Sequence, residues 1–234
     1  LGGMKVKIWI ILDNCPEEYD DLFKEYLSEF SLELIKLNGV GGYATFNKQL
    51  EILLNQEFSD LVYLAEDDYV FLPNALKEAV SFMNSEKEVD FLTVYDSLDY
   101  YKMKFHSYES NYKSFRERNW KTVSCTTLSF MTTKETLKNT KWVFDSYSKN
   151  DNFDSSLWMS LTKINLFNFS ALYRFILKRD RDLIRIIKAW AYCWKHIIFG
   201  KKYKLWCPVP SLGTHLEVGG VSPNFDINKS FFSR

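Results

Sequence analysis

The chain has 234 residues, of which 46% are hydrophobic and 17% aromatic, enough to close one sizeable core and too apolar for a disordered tail. Its formal net charge is +0, yet acids outnumber bases through residue 160 and bases outnumber acids after it, so the two ends face different partners. No run of about 18 uncharged apolar residues occurs, which argues against a membrane-spanning helix.

Leu1-Gly2-Gly3 ahead of Met4 reads as foreign to the fold and is set aside, leaving residues 4–234 as one expected domain. Val6 to Leu12 has the continuous apolar character of a buried strand. Asp13-Asn14-Cys15-Pro16 is then the loop at its carboxyl end, before a helix from about Glu17 to Phe30. Leu32 to Leu37 predicts a second strand, followed by the loop Asn38-Gly39-Val40-Gly41-Gly42 and a helix over Ala44 to Asn55 with Phe46, Leu50, Leu53 and Leu54 on its apolar side. Leu61 to Ala65 is a third strand, Pro73 to Met83 a helix with proline at a tolerated early position, and Val89 to Tyr95 a fourth strand. This alternation predicts an α/β fold with a mostly parallel central sheet, whose ligands bind beyond the carboxyl ends of the strands. Asp13, Asn38, Glu66 to Asp68 and Asp96 would all lie on that rim.

Ser97 to Trp120 is aromatic and charged without a clear period, and is expected as a loop facing substrate. Thr122 to Thr132 predicts a strand, Lys134 to Lys138 a short helix, and Asp154 the start of a helical pattern with Leu157, Trp158 and Leu161. Residues 162–204 form a basic, aromatic helical segment: Leu183, Ile186, Ile187, Trp190, Ala191, Trp194, Ile197 and Ile198 make an apolar stripe edged by Arg181, Arg185, Lys188 and Lys195. That stripe has two readings, packing on the catalytic core or peripheral contact of residues 171–204 with an anionic bilayer. Cys15, Cys125, Cys193 and Cys207 are too scattered for a zinc site, and reduced thiols in a cytoplasmic setting are expected, with peripheral membrane location under the second reading.

The most informative stretch is Leu61 to Pro73, where an apolar strand delivers Glu66, Asp67 and Asp68 side by side. Three carboxylates repel one another, and partial burial adds a desolvation cost, so a cation or a substrate is expected to compensate them. Mg²⁺ or Mn²⁺, which takes one or two protein carboxylates plus phosphate oxygens, makes a metal-bridged nucleotide diphosphate the natural ligand.

Asn38-Gly39-Val40-Gly41-Gly42-Tyr43-Ala44-Thr45-Phe46-Asn47, followed by a strand ending in Glu66-Asp67-Asp68, resembles the GT-A fold glycosyltransferases of the large family 2 group. That group carries an Asn- and Gly-containing loop, an Ala-x-x-Asn helix start and a strand ending in an Asp-x-Asp-like motif. The likeness spans roughly residues 4 to 161, with Glu66 where the family has its first Asp. Phe153-Asp154-Ser155-Ser156-Leu157-Trp158 is similar to the segment where the family places its general base, with Phe153 in place of the family's Glu.

The resemblance implies a hexosyl- or deoxyhexosyltransferase that moves a sugar from a nucleotide-diphosphate donor to a saccharide or lipid-linked acceptor with inversion. It implies Mn²⁺ or Mg²⁺ held by Asp68, with His215 in the loop Pro208 to Glu217 as a further metal or diphosphate contact. Asp154 is implied as the base, or as a helix cap, with Asp151 in reserve. Asp13 or Asn14 would meet the nucleobase, and Asn38 and Glu66 the ribose, with Asp67 beside them. Asn47 would serve the loop or the nucleotide, and Asp96 a sugar or acceptor hydroxyl. Competing classes are a nucleotidyltransferase, whose Gly-rich loop after the first strand is missing here, and a non-catalytic carbohydrate-binding or nucleic-acid-binding module. No nucleic-acid partner is expected, since the basic residues follow helical periodicity without a recognised binding motif.

Overall fold

The computed structural model describes residues 3–85, 87–167, 182–217, 219–223 and 225. Along them run β1 (Lys7–Asp13), α1 (Glu18–Tyr26), β2 (Ser31–Leu37), α2 (Gly42–Asn55), β3 (Leu61–Leu64), β4 (Tyr69–Phe71), α3 (Ala75–Ser85), β5 (Phe91–Leu92) and α4 (Asp99–Lys102). They continue with β6 (Tyr112–Phe115), β7 (Arg118–Val123), β8 (Phe130–Thr133), α5 (Lys134–Asn150), α6 (Asp154–Thr162), α7 (Asp182–Phe199), β9 (Leu205–Val209) and β10 (Gly213–His215). Residues 168–181, which hold part of the expected basic helical segment including Arg181, lie outside the described residues.

The fold is α/β, but its central sheet is mixed and not mostly parallel as the alternation had implied. Six strands stand in the order β3-β8-β5-β9-β7-β6. β8 is antiparallel to both β3 and β5, β5 is parallel to β9, and β7 is antiparallel to β9 and β6. β3, β5 and β9 therefore run in one direction, as a β-α-β reading of β3, α3 and β5 requires, and β8 inserts between β3 and β5 from the opposite direction. β1 and β2 pair in parallel as a separate two-stranded sheet, from Lys7 opposite Ser31 to Asp13 opposite Leu37.

Residues alternate across the central sheet because successive strand side chains point to opposite faces. Phe91, Phe130 and Leu205 join the core formed with α2, α5, α6 and α7, where Leu50, Phe144, Leu157 and Trp158 are buried. Their neighbours Leu92, Met131 and Trp206 join the core under α3, with Ala79, Phe82 and Trp120. Helices thus cover both faces, which is why these strands carry apolar residues in continuous runs.

Several element boundaries differ from the sequence reading. Lys134 to Lys138 is only the first turn of α5, which runs to Asn150 because Leu137, Thr140, Val143 and Phe144 keep a buried helical stripe through a polar sequence. Thr133 caps it, accepting from the Thr136 amide at 3.1 Å. The stretch expected as a loop holds α4 and the hairpin β6–β7, and the strand expected from Thr122 to Thr132 splits into the end of β7 and β8. Three further strands, β4, β9 and β10, were not anticipated.

Phe82 is fully buried and stacks on Trp120 with ring centroids 4.1 Å apart. Phe82→Ala is expected to lower unfolding free energy by ~3–5 kcal/mol. Urea unfolding monitored by tryptophan fluorescence measures it, and a loss below about 1 kcal/mol would contradict this packing.

Candidate functional site

β3 buries Val62 and Leu64 and then releases the chain at Glu66, Asp67 and Asp68, which are exposed as whole residues, although the Glu66 carboxyl group itself turns inward onto Ser129. β4 follows at once and pairs antiparallel with β10, setting Tyr69 opposite His215 and Phe71 opposite Gly213. This register brings together the two residues singled out as metal ligands: His215 Nε2 stands 2.7 Å from Asp68 Oδ2. The Leu216 amide donates to the Asp68 carbonyl at 2.8 Å, holding the backbone of the pair as well. The imidazole packs on Tyr69, with ring centroids 4.9 Å apart, and its Nδ1 faces Glu217 Oε2 at 3.5 Å. A carboxylate behind the second ring nitrogen is the arrangement that orients a metal-binding histidine.

One carboxylate oxygen and one imidazole nitrogen suit Mn²⁺ better than Mg²⁺, which prefers oxygen donors throughout. An oxygen and an imidazole nitrogen in adjacent corners of an octahedral shell lie about 3 Å apart, given bonds of about 2.1 Å, and the Asp68–His215 separation is 2.7 Å. Among the described residues no group of three or more His, Cys, Asp and Glu is placed to cage a metal. Two protein donors match an ion that completes its shell with water and phosphate oxygens.

Glu66 is anchored by Ser129, which accepts from the Glu66 amide at 2.9 Å and donates to Glu66 Oε2 at 3.0 Å. Enclosure of the carboxyl group raises its pKa, Ser129 and Thr127 hydroxyls oppose that, and the charges of Asp68 and Asp154 add to it. Thr127 joins a second partner, its Oγ1 lying 2.9 Å from the Tyr69 hydroxyl, while its carbonyl accepts from the Trp158 indole at 3.0 Å.

Asp154 opens α6, and its Oδ1 accepts the Ser155 amide. Phe153, not Asp154, occupies the cap position, so capping and base roles do not coincide on one geometry. Burial raises the Asp154 pKa, against lowering by Ser155 and by Arg185. Asp154 and Arg185 line a cavity of about 190 Å³ with Tyr95, Tyr100, Phe105 and Thr127. A more open hollow of about 650 Å³ between α1 and β2, lined by Leu27, Phe30, Leu32 and Leu34, holds none of the expected site residues.

The remaining expected residues fall in three places. Asp13 latches the loop after β2, accepting the Val40 amide at 2.9 Å and the Gly41 amide at 2.8 Å, and these bonds lower its pKa. Beside it, Asn14, in the left-handed region at φ 56, and Asn38 leave their side chains exposed. Asn47 accepts from Ser148 Oγ at 2.7 Å and so joins α2 to α5. At the end of α5, Asp151 accepts from the Tyr43 hydroxyl, which raises the Tyr43 pKa to about 12. α2 therefore connects the Asp13 loop to the segment that carries Asp151 and Asp154. Among the described residues no hydrogen bond or ion pair joins Asp13, Asn14 or Asn38 directly to Glu66, Asp67 or Asp68.

Asp96 sits apart from the cavity lining. It is 1% exposed, with Lys121 Nζ 2.8 Å from Oδ1 and the Tyr101 hydroxyl donating to Oδ2 at 2.6 Å. Both oxygens are occupied, which suits a positioning role. Sequence reading overlooked Thr127, Ser129, Tyr69 and Arg185; the polar residues interrupting Thr122 to Thr132 were the available signal for the first two.

Compared with protein-family models, curated proteins and solved structures, the chain matches none.

Burial alone would lower the Lys121 pKa, but the hydrogen bonds its ammonium donates to Asp96 and Tyr101 outweigh it and raise it from 10.5 to about 12. A pKa raised on folding gives stability that is complete below pH 10.5 and lost as pH climbs through about 12. Lys121→Met, which strands the Asp96 carboxylate, is expected to cost ~3–5 kcal/mol in urea unfolding at neutral pH. A cost near zero would show that solvent reaches Asp96.

Proposed function

We propose that this chain is a glycosyltransferase of the GT-A type, moving a sugar from a nucleotide diphosphate to an acceptor hydroxyl with the help of Mn²⁺ or Mg²⁺. The observation that carries this reading is the Asp68–His215 pair at 2.7 Å, set beside the Glu66 carboxylate. Strand-end acids, an imidazole oriented by Glu217 and two protein donors make a poor structural salt bridge, since Asp68 remains half-exposed. They suit a shared cation whose other partners come from a ligand.

In this reading Asp68 and His215 hold the ion, which when bound neutralises charge on the departing diphosphate. Glu66, fixed by Ser129, is oriented toward a donor hydroxyl. Asp13 holds the loop through two amides, one on each oxygen, and nucleobase and ribose contacts are assigned to the exposed Asn14 and Asn38. The acceptor enters the cavity beside Asp154, whose carboxylate takes the hydroxyl proton as the oxygen attacks the anomeric carbon. Burial of Asp154 strengthens it as a base. Such a base is worth ~10²–10⁴-fold in rate.

A thermal-shift panel of nucleoside diphosphates with and without Mn²⁺ tests the site. One nucleotide is expected to stabilise the protein only with metal, by about 2.7 kcal/mol at a hundred times Kd, and Asp68→Ala and His215→Ala should each abolish the effect. Metal-independent stabilisation that survives Asp68→Ala would refute the assignment. Once the donor is known, Asp154→Asn should lower kcat/KM by ~10²–10⁴-fold with donor affinity retained. The acid limb of the wild-type profile should lie above the ordinary Asp value of 3.8, because protonation of a base with a raised pKa begins at higher pH. A limb at or below 3.8 would assign the proton transfer elsewhere.

A further inference from the structure

α7 is apolar on two faces. Ile186, Ala189, Cys193 and Ile197 are buried in the core, as an amphipathic helix packed on a domain requires. A second set, Ile187 and Ala191 before a kink at Cys193 (φ -123, ψ 17) and Trp194 and Ile198 after it, is exposed on the side away from the core. Ile187 is 55%, Trp194 45% and Ile198 53% exposed, and Phe199 at the end of the helix is 79% exposed. Phe167, also exposed, stacks edge-on against Trp190 at 5.5 Å beside this row. Single exposed apolar residues need no explanation, but several gathered along one side of the two helical halves mark a contact surface.

Charge selects the partner. From Leu183 to Lys204 there is no Asp or Glu. Lys195 follows Trp194 in the exposed row, its ammonium 5.8 Å from the Trp194 ring, while Lys188, after Ile187, is turned to the Asp151 carbonyl and the Phe153 ring. Lys201 and Lys204 are engaged by Asp90 and Glu88, whereas Lys195 and Lys202 are exposed and form no ion pair among the described residues. A second copy docking through the same face would set this basic rim against itself. An anionic surface meets it favourably, and an aromatic and aliphatic row edged by lysines is what an interfacial helix presents to lipid. No helix among the described residues is long and apolar enough to cross a membrane, so the geometry is that of a helix lying in the headgroup layer.

We infer that the Ile187–Ala191–Trp194–Ile198 face of α7 docks this protein on an anionic lipid bilayer.

Flotation of the full chain with vesicles, read without any substrate, tests docking by itself. The wild type is expected to float with phosphatidylcholine vesicles containing about a third phosphatidylglycerol, to bind pure phosphatidylcholine weakly, and to be released by high salt. Trp194→Ser with Ile198→Ser, and separately Lys195→Glu with Lys202→Glu, should each weaken the anionic-vesicle partition by roughly tenfold or more, and the lysine pair should do so with Tm unchanged, since both lysines are exposed. Absence of vesicle binding, binding that both variants retain, or a concentration-dependent dimer lost in Trp194→Ser with Ile198→Ser would each overturn the inference. Asp68→Ala should float like the wild type, so failure of docking and failure of the metal site are read separately.

Discussion

The site depends on one strand register. β4 is only three residues long, and its antiparallel pairing with β10 decides that His215, not its neighbour, lies beside Asp68. A slip by one residue would turn the imidazole to the other face. Three features pin the register. The Leu72 amide donates to the Leu212 carbonyl at 2.8 Å, and the Leu216 amide to the Asp68 carbonyl at 2.8 Å. At Gly213 a Cβ would stand 3.1 Å from the Phe71 ring and 3.2 Å from Val94, so a larger residue would have to push these side chains back by a few tenths of an ångström.

Around that register, hydroxyls and amides restrain carboxylates that would otherwise repel one another. Ser129 holds Glu66, Thr127 ties Tyr69 to the same turn, and Asp13 binds two backbone amides. Buried polar groups tolerate low dielectric only when paired, and here each pairing also fixes a direction. Asp68 differs: its partner is a titratable imidazole, and the half-exposed carboxylate faces solvent. Asp96, by contrast, is closed inside with Lys121 and Tyr101, which separates an acid that holds the fold from acids available to a ligand.

How much was legible depended on the range of the signal. Local patterns carried β1, α2, β3 and α3 to within a few residues, because each has an apolar period that tertiary packing merely confirms. The acidic triplet was visible because β3 has to end where charge begins. The strand directions were not, since βαβ alternation says nothing of β8 inserting between β3 and β5. β4, β9 and β10 escaped for a related reason: short strands are held by partners far away in sequence, and Tyr69 to Phe71 carries no period of its own. His215 was found through its Gly- and Pro-flanked loop, while Thr127 and Ser129 passed as strand residues. The apolar character of the last helix was plain in the sequence, but that it serves two faces at once required the exposures of Ile187, Trp194 and Ile198.

The most direct test is anomalous diffraction from crystals soaked with Mn²⁺ and the nucleoside diphosphate that stabilises the protein. The account predicts a manganese peak in contact with both Asp68 Oδ2 and His215 Nε2, at bond lengths of about 2.1–2.2 Å, with phosphate oxygens completing the shell. A nucleotide bound with manganese elsewhere, or with the Asp68–His215 contact intact and no metal beside it, would contradict it.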